Sequence, residues 1–542
     1  VRFEMQDFNC DAAFINLDIW KMYKNYTGNY NSNCVNSMRS THLFAAAELI
    51  NAITVIFDQG SYRGTNHEKN WEALTHYQGH GTYIVPYHES GGFQGPGDNP
   101  ANHAPGRGVQ EVAEYLGPID FRQVKQVTDK LMAQSHSLAN ECISNCLSAI
   151  SASTSGKGGY CFYSYAQERQ MLVRIPNAAG RNFCQADQVL YAQDDGPDRL
   201  LNLSLPAYGY AMAKEATTGV SDRLDETVVV GKDSLENHFL RLEFDLKTGT
   251  LCRMIDKASG RELITKDSHA FYFPQSLQQV CCQSKIGLPG PLRGSILFNI
   301  ELKDECGNRC TLETVVSLDV GQTVAAFETK VLNIPRLEGN QWSNHLGVRF
   351  ALPDANSGIL TSHFNVLEPF SHKQIFSPNV LVARSERGDT VFLNEGNQFY
   401  VRDGNSLRHI MIMENEPLRK FRYAIGIADH NPIMQSLKWS QPCFVQRNDK
   451  INESKCVSKS FIDFDNKNID LLSCRYEEGV LLIRLANTIG TEVQATLSAF
   501  ESITSASVTG LDDKDKQSLN VNEGRVKLNL RPWDIRQLRI TL

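Results

Sequence analysis

The chain has 542 residues, which is too long for a single hydrophobic core, so we expect several domains. Its formal net charge of −7 at pH 7 comes with no basic stripe, which argues against a non-specific nucleic-acid-binding protein. The sequence holds no run of about 18 uncharged apolar residues, so we predict no membrane span.

The first part of the chain has the periodicity of helices. Apolar residues such as Leu43 recur every three or four positions from Asn36 to Phe57, which predicts an amphipathic helix. The same spacing predicts a second long helix from Phe121 to Ile150, with Asp120 as its N-cap. Between them, residues 89–108 are rich in glycine and proline and are predicted to form a loop insertion.

Three histidines, His76, His80 and His88, fall within the stretch HYQGHGTYIVPYHES. On a helix, His76 and His80 would share one face and could bind a metal. Gly79 and Gly81 argue against a regular helix there. From the residues alone, a metal site and a loop of ordinary histidines both remain open.

After about residue 158 the hydrophobic period changes from that of helices to that of strands. Short alternating segments bounded by turn residues, such as Val315–Leu332, continue to the end of the chain. In the last segment Leu538 and Ile540 alternate with Arg539. Such a run predicts more than one β-sandwich.

Cysteines and glycosylation sequons together indicate a secretory, lysosomal or vacuolar, or extracellular protein. The fourteen cysteines include Cys306 and Cys310, which we predict to form a loop disulfide rather than half of a zinc finger. A start at Val1 is typical of a processed chain. Sequons occur at three positions: Asn25, Asn202 and Asn452.

One hairpin carries a resemblance to a known family. Residues 236–263 read as two strands joined by the turns DLKTG and DKASG. This segment resembles the entry to the β-domains of glycoside hydrolase family 38, the class II α-mannosidases. The matching residues are Glu236, Asn237, Phe239, Thr248, Gly249, Leu251, Asp256, Lys257, Gly260, Arg261 and Glu262.

Further segments keep the order of that family. SLPAYGYAMAK, PLRKFRYAIGIADHNPIMQSL and RPWDIRQLRITL resemble its β-region, and NYTGNYNSNCVNSMRSTHLFAAAELINA resembles the segment that leads into its helical bundle. YQGHGTYIVPY is similar to the family's zinc-binding motif. The resemblance places His80 at the position of a zinc ligand, while Gly79 and Gly81 replace the adjacent histidine and aspartate.

The resemblance implies a retaining α-mannosidase with one zinc ion. Asp7, in MQDFN, is the candidate for the general acid. Asn33 and Tyr26 stand where the family has an arginine and a tryptophan. The sequence contains no His-x-Asp pair, so the nucleophile and the remaining zinc ligands would have to come from a segment before Val1.

We therefore predict a multidomain α+β protein: the end of an α/β catalytic domain, a helical-bundle middle domain, and successive β-sandwiches. The predicted domains are 1–34, 35–155, 156–232, 233–450 and 451–542. The resemblance implies an α-mannoside or N-glycan substrate and an N-terminal segment or subunit of the same precursor as a partner. The sequence leaves open whether the protein forms a homo-oligomer. The alternative is a catalytically inactive relative with a structural, assembly or carbohydrate-binding role.

Overall fold

The fold follows from a computed structural model of the chain. It describes these residues: 30–57, 60–78, 121–152, 158–185, 188–216, 226–265, 270–273, 277–334, 337, 342–354, 357–363, 365–386, 388–413, 416–451, 458–510 and 513–542.

Four helices lie in this part of the chain. They are α1 (Tyr30–Ile56), α2 (Gly64–Tyr77), α3 (Phe121–Ser151) and α4 (Pro432–Ser440). α3 confirms the predicted helix, whereas α1 includes Tyr30 and so extends before the predicted start at Asn36. The sequence did not predict α2 or α4. None of the helices in the described ranges is both long and apolar enough to cross a membrane.

The first three helices pack together as a bundle. Ala46, Ile50 and Ile53 of α1 are buried on the face that their spacing predicts. For α3 the predicted apolar face is partly wrong: Cys142 is buried, but Leu131 and Leu138 of the same series are 39% and 37% exposed, and Leu147 is buried instead. Burying each large aliphatic side chain contributes about 1.5–3 kcal/mol. The same hydrophobic core continues into the C-terminal strands, so the bundle is held by tertiary packing as well as by its own contacts.

β-strands form most of the rest of the described chain. The first group is β1 (Gly159–Ser164), β2 (Arg169–Ile175), β3 (Asn182–Gln185), β4 (Gln188–Val189), β5 (Ala192–Asp195), β6 (Asp198–Leu205) and β7 (Gly209–Ala216). The second group is β8 (Val229–Val230), β9 (Ser234–Glu236), β10 (Leu240–Asp245), β11 (Thr250–Asp256), β12 (Arg261–Ile264), β13 (Ala270–Tyr272), β14 (Leu277–Pro289), β15 (Arg293–Asp304), β16 (Arg309–Asp319), β17 (Val324–Leu332), β18 (Leu346–Ala351), β19 (Gly358–His363), β20 (Val366–Phe370), β21 (Gln374–Phe376), β22 (Val380–Arg384), β23 (Thr390–Asn394), β24 (Phe399–Asp403), β25 (Ser406–Ile412), β26 (Lys420–Ile427) and β27 (Cys443–Asn448). The last group is β28 (Lys459–Ser460), β29 (Ile462–Phe464), β30 (Ile469–Glu477), β31 (Val480–Asn487), β32 (Val493–Ala499), β33 (Ser505–Thr509), β34 (Asp515–Ser518), β35 (Val521–Asn522), β36 (Arg525–Leu530) and β37 (Ile535–Thr541).

The largest sheet has nine strands in the order β14-β15-β16-β17-β26-β23-β22-β19-β20. Two five-stranded sheets, β12-β11-β10-β9-β8 and β13-β18-β25-β24-β21, share one hydrophobic core with it. The ladders are antiparallel. The middle of the nine-stranded sheet is buried on both faces, because α4 packs on the face that points away from this core. This is the large β-sandwich, and it confirms the predicted β-rich fold.

Two smaller β-regions flank it. The sheet β27-β1-β7-β3-β4, which β28 joins through β7, packs on the three-stranded sheet β2-β6-β5. The C-terminal sandwich pairs β29-β32-β36-β35 with β30-β31-β37-β33-β34. Since β27 and β28 come from residues 443–460, the chain returns to the first small sheet before it builds the last sandwich. The predicted domain boundaries stay predictions.

The hairpin that carried the resemblance has the expected form. Leu240, Leu242 and Phe244 of β10 face the core. Asn237, which precedes them, is 2% exposed and holds three segments together. Its amide donates to the carbonyls of Asp319 and Gln322 at 2.8 Å, and its Oδ1 accepts from the backbone N–H groups of residues 239 and 240. This part of the motif is therefore structural.

The predicted disulfide between Cys306 and Cys310 is wrong, because both thiols are free. Cys310 is fully buried on β16, while Cys306 is exposed in the turn after β15. The turn is closed instead by Asp304, whose carboxylate accepts from the backbone N–H and the side-chain amide of Asn308 at 2.7 and 2.8 Å. Burial raises the pKa of Cys310 to about 11, so its thiol stays protonated in the core.

Candidate functional site

Most of the residues predicted from the sequence to be functional lie outside the described ranges: Asp7, Asn25, His80 and Asn452. Asn202 is described; it is half-buried on β6, and its backbone N–H donates to the carbonyl of Tyr191 at 3.0 Å. Within the described residues, no three or more His, Cys, Asp and Glu side chains lie close enough to hold a metal ion. The predicted zinc ligand His80 is not among those residues.

The described residue closest in sequence to His80 is Gln78, one position after the end of α2. Tyr77, the last residue of α2, contacts the beginning of α1. Its hydroxyl donates to Oδ1 of Asn33 at 3.0 Å and accepts from Nδ2 of Asn36 at 3.2 Å. The carboxyl end of α2 therefore lies beside the amino end of α1.

Asn33, which stands where the resemblance implies an arginine, is 3% exposed at this corner. Among the described residues, neither its Nδ2 nor Oδ1 of Asn31 has a hydrogen-bond partner. Nδ2 of Asn31 donates to the carbonyls of Ile410 and Met411, which fixes the amide in place. The corner formed by the amino end of α1 and Tyr77 therefore contains one buried donor and one buried acceptor that are unpaired among the described residues. Unpaired polar groups are costly in a buried position.

Glu416 anchors the amino end of α1. Its Oε2 accepts from the backbone N–H of Asn31 at 3.0 Å, and its Oε1 accepts from those of Ser32 and Leu418 at 3.2 and 3.0 Å. Burial raises its pKa to about 7, although these donors lower it. A carboxyl group with such a pKa can serve as a general acid. Since both oxygens face backbone donors, Glu416 is a capping residue instead.

A cleft of about 740 Å³ begins next to this corner. One wall is α1, through Ser37, Thr41 and His42. The opposite wall comes from loops of the large sandwich and from β30 of the C-terminal sandwich. Gln78, the last described residue before His80, lines the cleft. Gln398 also lines it and donates to Sγ of Cys34 of α1 at 3.1 Å.

The cleft has little charge. Burial lowers the pKa of His42 to about 4, so its imidazole is neutral at neutral and mildly acidic pH. Burial raises the pKa of Asp470 to about 6. The Asp470 carboxylate accepts from the hydroxyl of Tyr208 at 3.1 Å and from Nδ2 of Asn365 at 3.4 Å. No lysine or arginine is found among the described residues that line the cleft.

The fold is that of known proteins, although the sequence is far from them. An α-mannosidase from Enterococcus faecalis V583 aligns with a TM-score of 0.69 and 11% sequence identity over 95% of this chain and 68% of that chain. A protein in glycosyl hydrolase family 38 from Enterococcus faecalis aligns with a TM-score of 0.66 and 11% identity, over 98% of this chain and 73% of that chain. The chain has the fold of glycoside hydrolase family 38.

Comparisons of the amino-acid sequence alone find no match. No protein-family model matches the chain, and no curated protein matches it. The family 38 fold is therefore retained at an identity where most side chains have changed. The described motif residue Asn237 has a structural role that explains its place in the hairpin.

Sequence reasoning missed Glu416 and the cleft. Glu416 acts on a helix that lies almost four hundred positions earlier in the chain, and no local pattern marks such a contact. The cleft brings together Thr41, Gln398 and Asp470, which are also far apart in sequence. The only sequence signal for the cleft was the presence of asparagines and glutamines in loops. The sequence does not define how those loops are placed relative to one another.

Proposed function

We propose that the chain is part of an α-mannosidase-type glycoside hydrolase that cleaves α-mannosides, such as those of N-glycans, with retention of configuration. The observation that carries this proposal is the match over 95% of the chain to a structure described as an α-mannosidase. Fold alone does not define activity, because one fold hosts many chemistries.

Retention requires two carboxyl groups about 5–5.5 Å apart, one as nucleophile and one as general acid. In this proposal Asp7 is the acid, and the nucleophile and the other zinc ligands come from an upstream segment or a subunit of the same precursor. Zinc, when bound, would act as a Lewis acid on sugar hydroxyls. The described residues do not include a ligand set that fits it, so we derive no step through the metal.

The test is hydrolysis of 4-nitrophenyl α-D-mannoside by protein purified from its native source, with the β-anomer as the matched control. We expect turnover of the α-anomer only. Equal or absent turnover of both anomers, at substrate concentrations up to the millimolar range typical of KM values, would reject the proposal.

A second candidate function is glycan binding without catalysis. It is favoured by Asn33 at the position of an arginine, locked by Tyr77 in a buried hydrogen bond, and by Gly79 and Gly81 beside His80. Such losses are poorly tolerated in a site that must stabilise a transition state. This candidate predicts that the native protein binds α-linked mannotriose but does not hydrolyse the aryl mannoside.

We also propose that the protein enters the secretory pathway, on the basis of the sequons at Asn25, Asn202 and Asn452. Peptide-N-glycosidase treatment of native material should lower its mass, and site mapping should place the modification at one or more of these residues. An unchanged mass would remove the support that the sequons give.

A further inference from the structure

We propose that the free edge of β14 is a dimer interface, at which two copies of this chain join their nine-stranded sheets around a two-fold axis. β14 is an end strand of that sheet and, among the described residues, pairs only with β15. It is thirteen residues long, whereas strands are typically about 5–6 residues long. The N–H and C=O groups along an unpaired edge can bind a further strand. This inference does not depend on the hydrolase proposal.

The two edges of the nine-stranded sheet differ in the features that prevent strand addition. The opposite edge, β20, is five residues long and carries Glu368 and Pro369. A charge and a proline both protect an edge against pairing with another chain. β14 has one charged residue, Lys285, and its only proline is its last residue, Pro289. The β14 edge therefore has little of the protection that β20 has.

β14 also exposes large apolar side chains. Val280 and Ile286 are 53% and 49% exposed. Ile286 lies opposite Ile296 of β15, which is 1% exposed in the core of the large sandwich. Because opposite residues in a ladder point to the same face of the sheet, Ile286 extends that core to the open edge. A second copy paired at this edge would cover Ile286 with a side chain from its own core face.

The pairing of β14 with itself has a defined register. The ladder between β14 and β15 is uninterrupted over residues 281–286, with a register shift on either side. A two-fold axis perpendicular to an antiparallel sheet places one residue opposite its own mate. With Ser284 at the axis, Ile286 lies opposite Cys282 of the second copy, which packs against the same kind of core. Lys285 then lies opposite a glutamine, so the two lysines do not face each other.

The size of the paired segment indicates a reversible dimer. In this register, residues 282–286 of the two copies lie opposite one another, which gives about five backbone hydrogen bonds. Protein interfaces typically contain about 5–15 direct hydrogen bonds, so this edge is at the lower end of the range. We therefore expect a dissociation constant on the order of 10 µM.

The first experiment is sedimentation velocity of the full chain at concentrations from about 1 µM to about 100 µM. Ile286→Lys places a charge on the exposed edge of β14, where it would face an apolar side chain in the dimer. Ile535→Lys is the matched control, because it makes the same change at a side chain that is 61% exposed on β37 of the C-terminal sandwich. Both side chains are exposed, so we expect both variants to fold.

We expect the wild type to change from monomer to dimer across this concentration range. Ile286→Lys should weaken dimerisation at least about tenfold, and Ile535→Lys should leave it unchanged. A wild type that stays monomeric throughout would overturn the inference. Dimerisation that Ile286→Lys leaves intact would also overturn it.

The second experiment tests the position of the two-fold axis with a short thiol-specific cross-linker. Ser284→Cys places a thiol opposite its own mate. Gln278→Cys, on the same strand, places the two new thiols about 40 Å apart. We expect Ser284→Cys to give a covalent dimer on a denaturing gel and Gln278→Cys to give no more than the wild type, which has the same native cysteines. Equal cross-linking of the two variants, or none in Ser284→Cys, would contradict this pairing.

Discussion

At the scale of single residues, Glu416 combines three contacts that local sequence does not suggest. It is 2% exposed, and its carboxylate accepts from the backbone N–H groups of Asn31, Ser32 and Leu418. Because a helix leaves its first N–H groups without partners, a carboxylate at that end is stabilising. The early start of α1 at Tyr30 follows from this distant residue, which explains why the sequence predicted the helix only from Asn36.

Glu416 should make stability depend on pH. Burial raises the pKa of this carboxyl from 4.5 to about 7, so the folded protein holds the proton more tightly than the unfolded chain. Its contribution to the free energy of unfolding is therefore complete below pH 4.5 and is lost as the pH rises through 7. The expected loss is about 3 kcal/mol.

Glu416→Gln removes this titration. We expect the free energy of unfolding of the wild type, measured relative to the variant by denaturant titration, to fall across that pH range. Glu313→Gln, at an exposed carboxylate on β16, is the control and should leave the profile unchanged. Parallel pH profiles for wild type and Glu416→Gln would contradict the expectation.

Tyr77 is the second residue whose role can be tested. Tyr77→Phe deletes the hydroxyl that donates to Asn33, which leaves a buried amide without any described partner for its side chain. An unsatisfied buried group costs about 1–3 kcal/mol, so the variant should lose that much stability. The Asn33→Leu/Tyr77→Phe double variant removes both partners and should recover part of the loss. A double variant less stable than the sum of the single changes would contradict this account.

At the scale of elements, the hairpin of β10 and β11 shows how alternation and turn chemistry specify a local fold. The turn residues Gly249 and Gly260 have φ values of +74° and +69°, a region that side chains with a Cβ adopt at a cost. The two turns use the same backbone bond, from the glycine N–H to the carbonyl of Asp245 or Asp256 at 2.8 Å. They differ only in their surroundings.

This difference gives a matched pair of substitutions. A Cβ at Gly249 would lie 2.8 Å from Cδ1 of Ile300 and 3.3 Å from Sγ of Cys282, whereas a Cβ at Gly260 meets nothing within 4 Å. Gly260→Ala should therefore cost about 1–2 kcal/mol of stability from backbone strain alone. Gly249→Ala should cost a further 1–3 kcal/mol from overpacking. Thermal unfolding measures both, and equal losses would show that the contact at Gly249 is relieved without cost.

Elements were predictable where the pattern is local. α3 and the alternation of β10 were predicted from the spacing of apolar residues such as Cys142 and Leu242. The buried face of α3 was predicted only in part, since Leu131 and Leu138 of the same series are exposed. α4 was missed because its signals are short: nine residues, with Asn431 accepting from the backbone N–H of Met434 as the N-cap. The predicted Cys306–Cys310 bridge failed because spacing along the chain does not reveal which side of a strand faces the core.

At the scale of the whole molecule, the β-rich architecture could be predicted and the candidate site could not. The change from helical to strand periodicity after the helical bundle predicted the β-sandwiches. Their hydrophobic cores also include residues from elements that are distant in sequence. The cleft depends on how α1, the large sandwich and β30 are placed against one another. That placement arises from long-range packing, which a single sequence does not encode in any local pattern.

We propose that this chain, which has a family 38 fold, forms part of a zinc-dependent α-mannosidase. The most direct measurement is the zinc content of protein from its native source, determined together with aryl α-mannoside turnover, for the wild type and for His80→Ala. We expect about one bound zinc and turnover in the wild type, and loss of both in His80→Ala, which should still unfold as an ordered protein. Turnover and zinc content that His80→Ala leaves intact would contradict the assignment of His80, and a zinc-free wild type without turnover would contradict the hydrolase account itself.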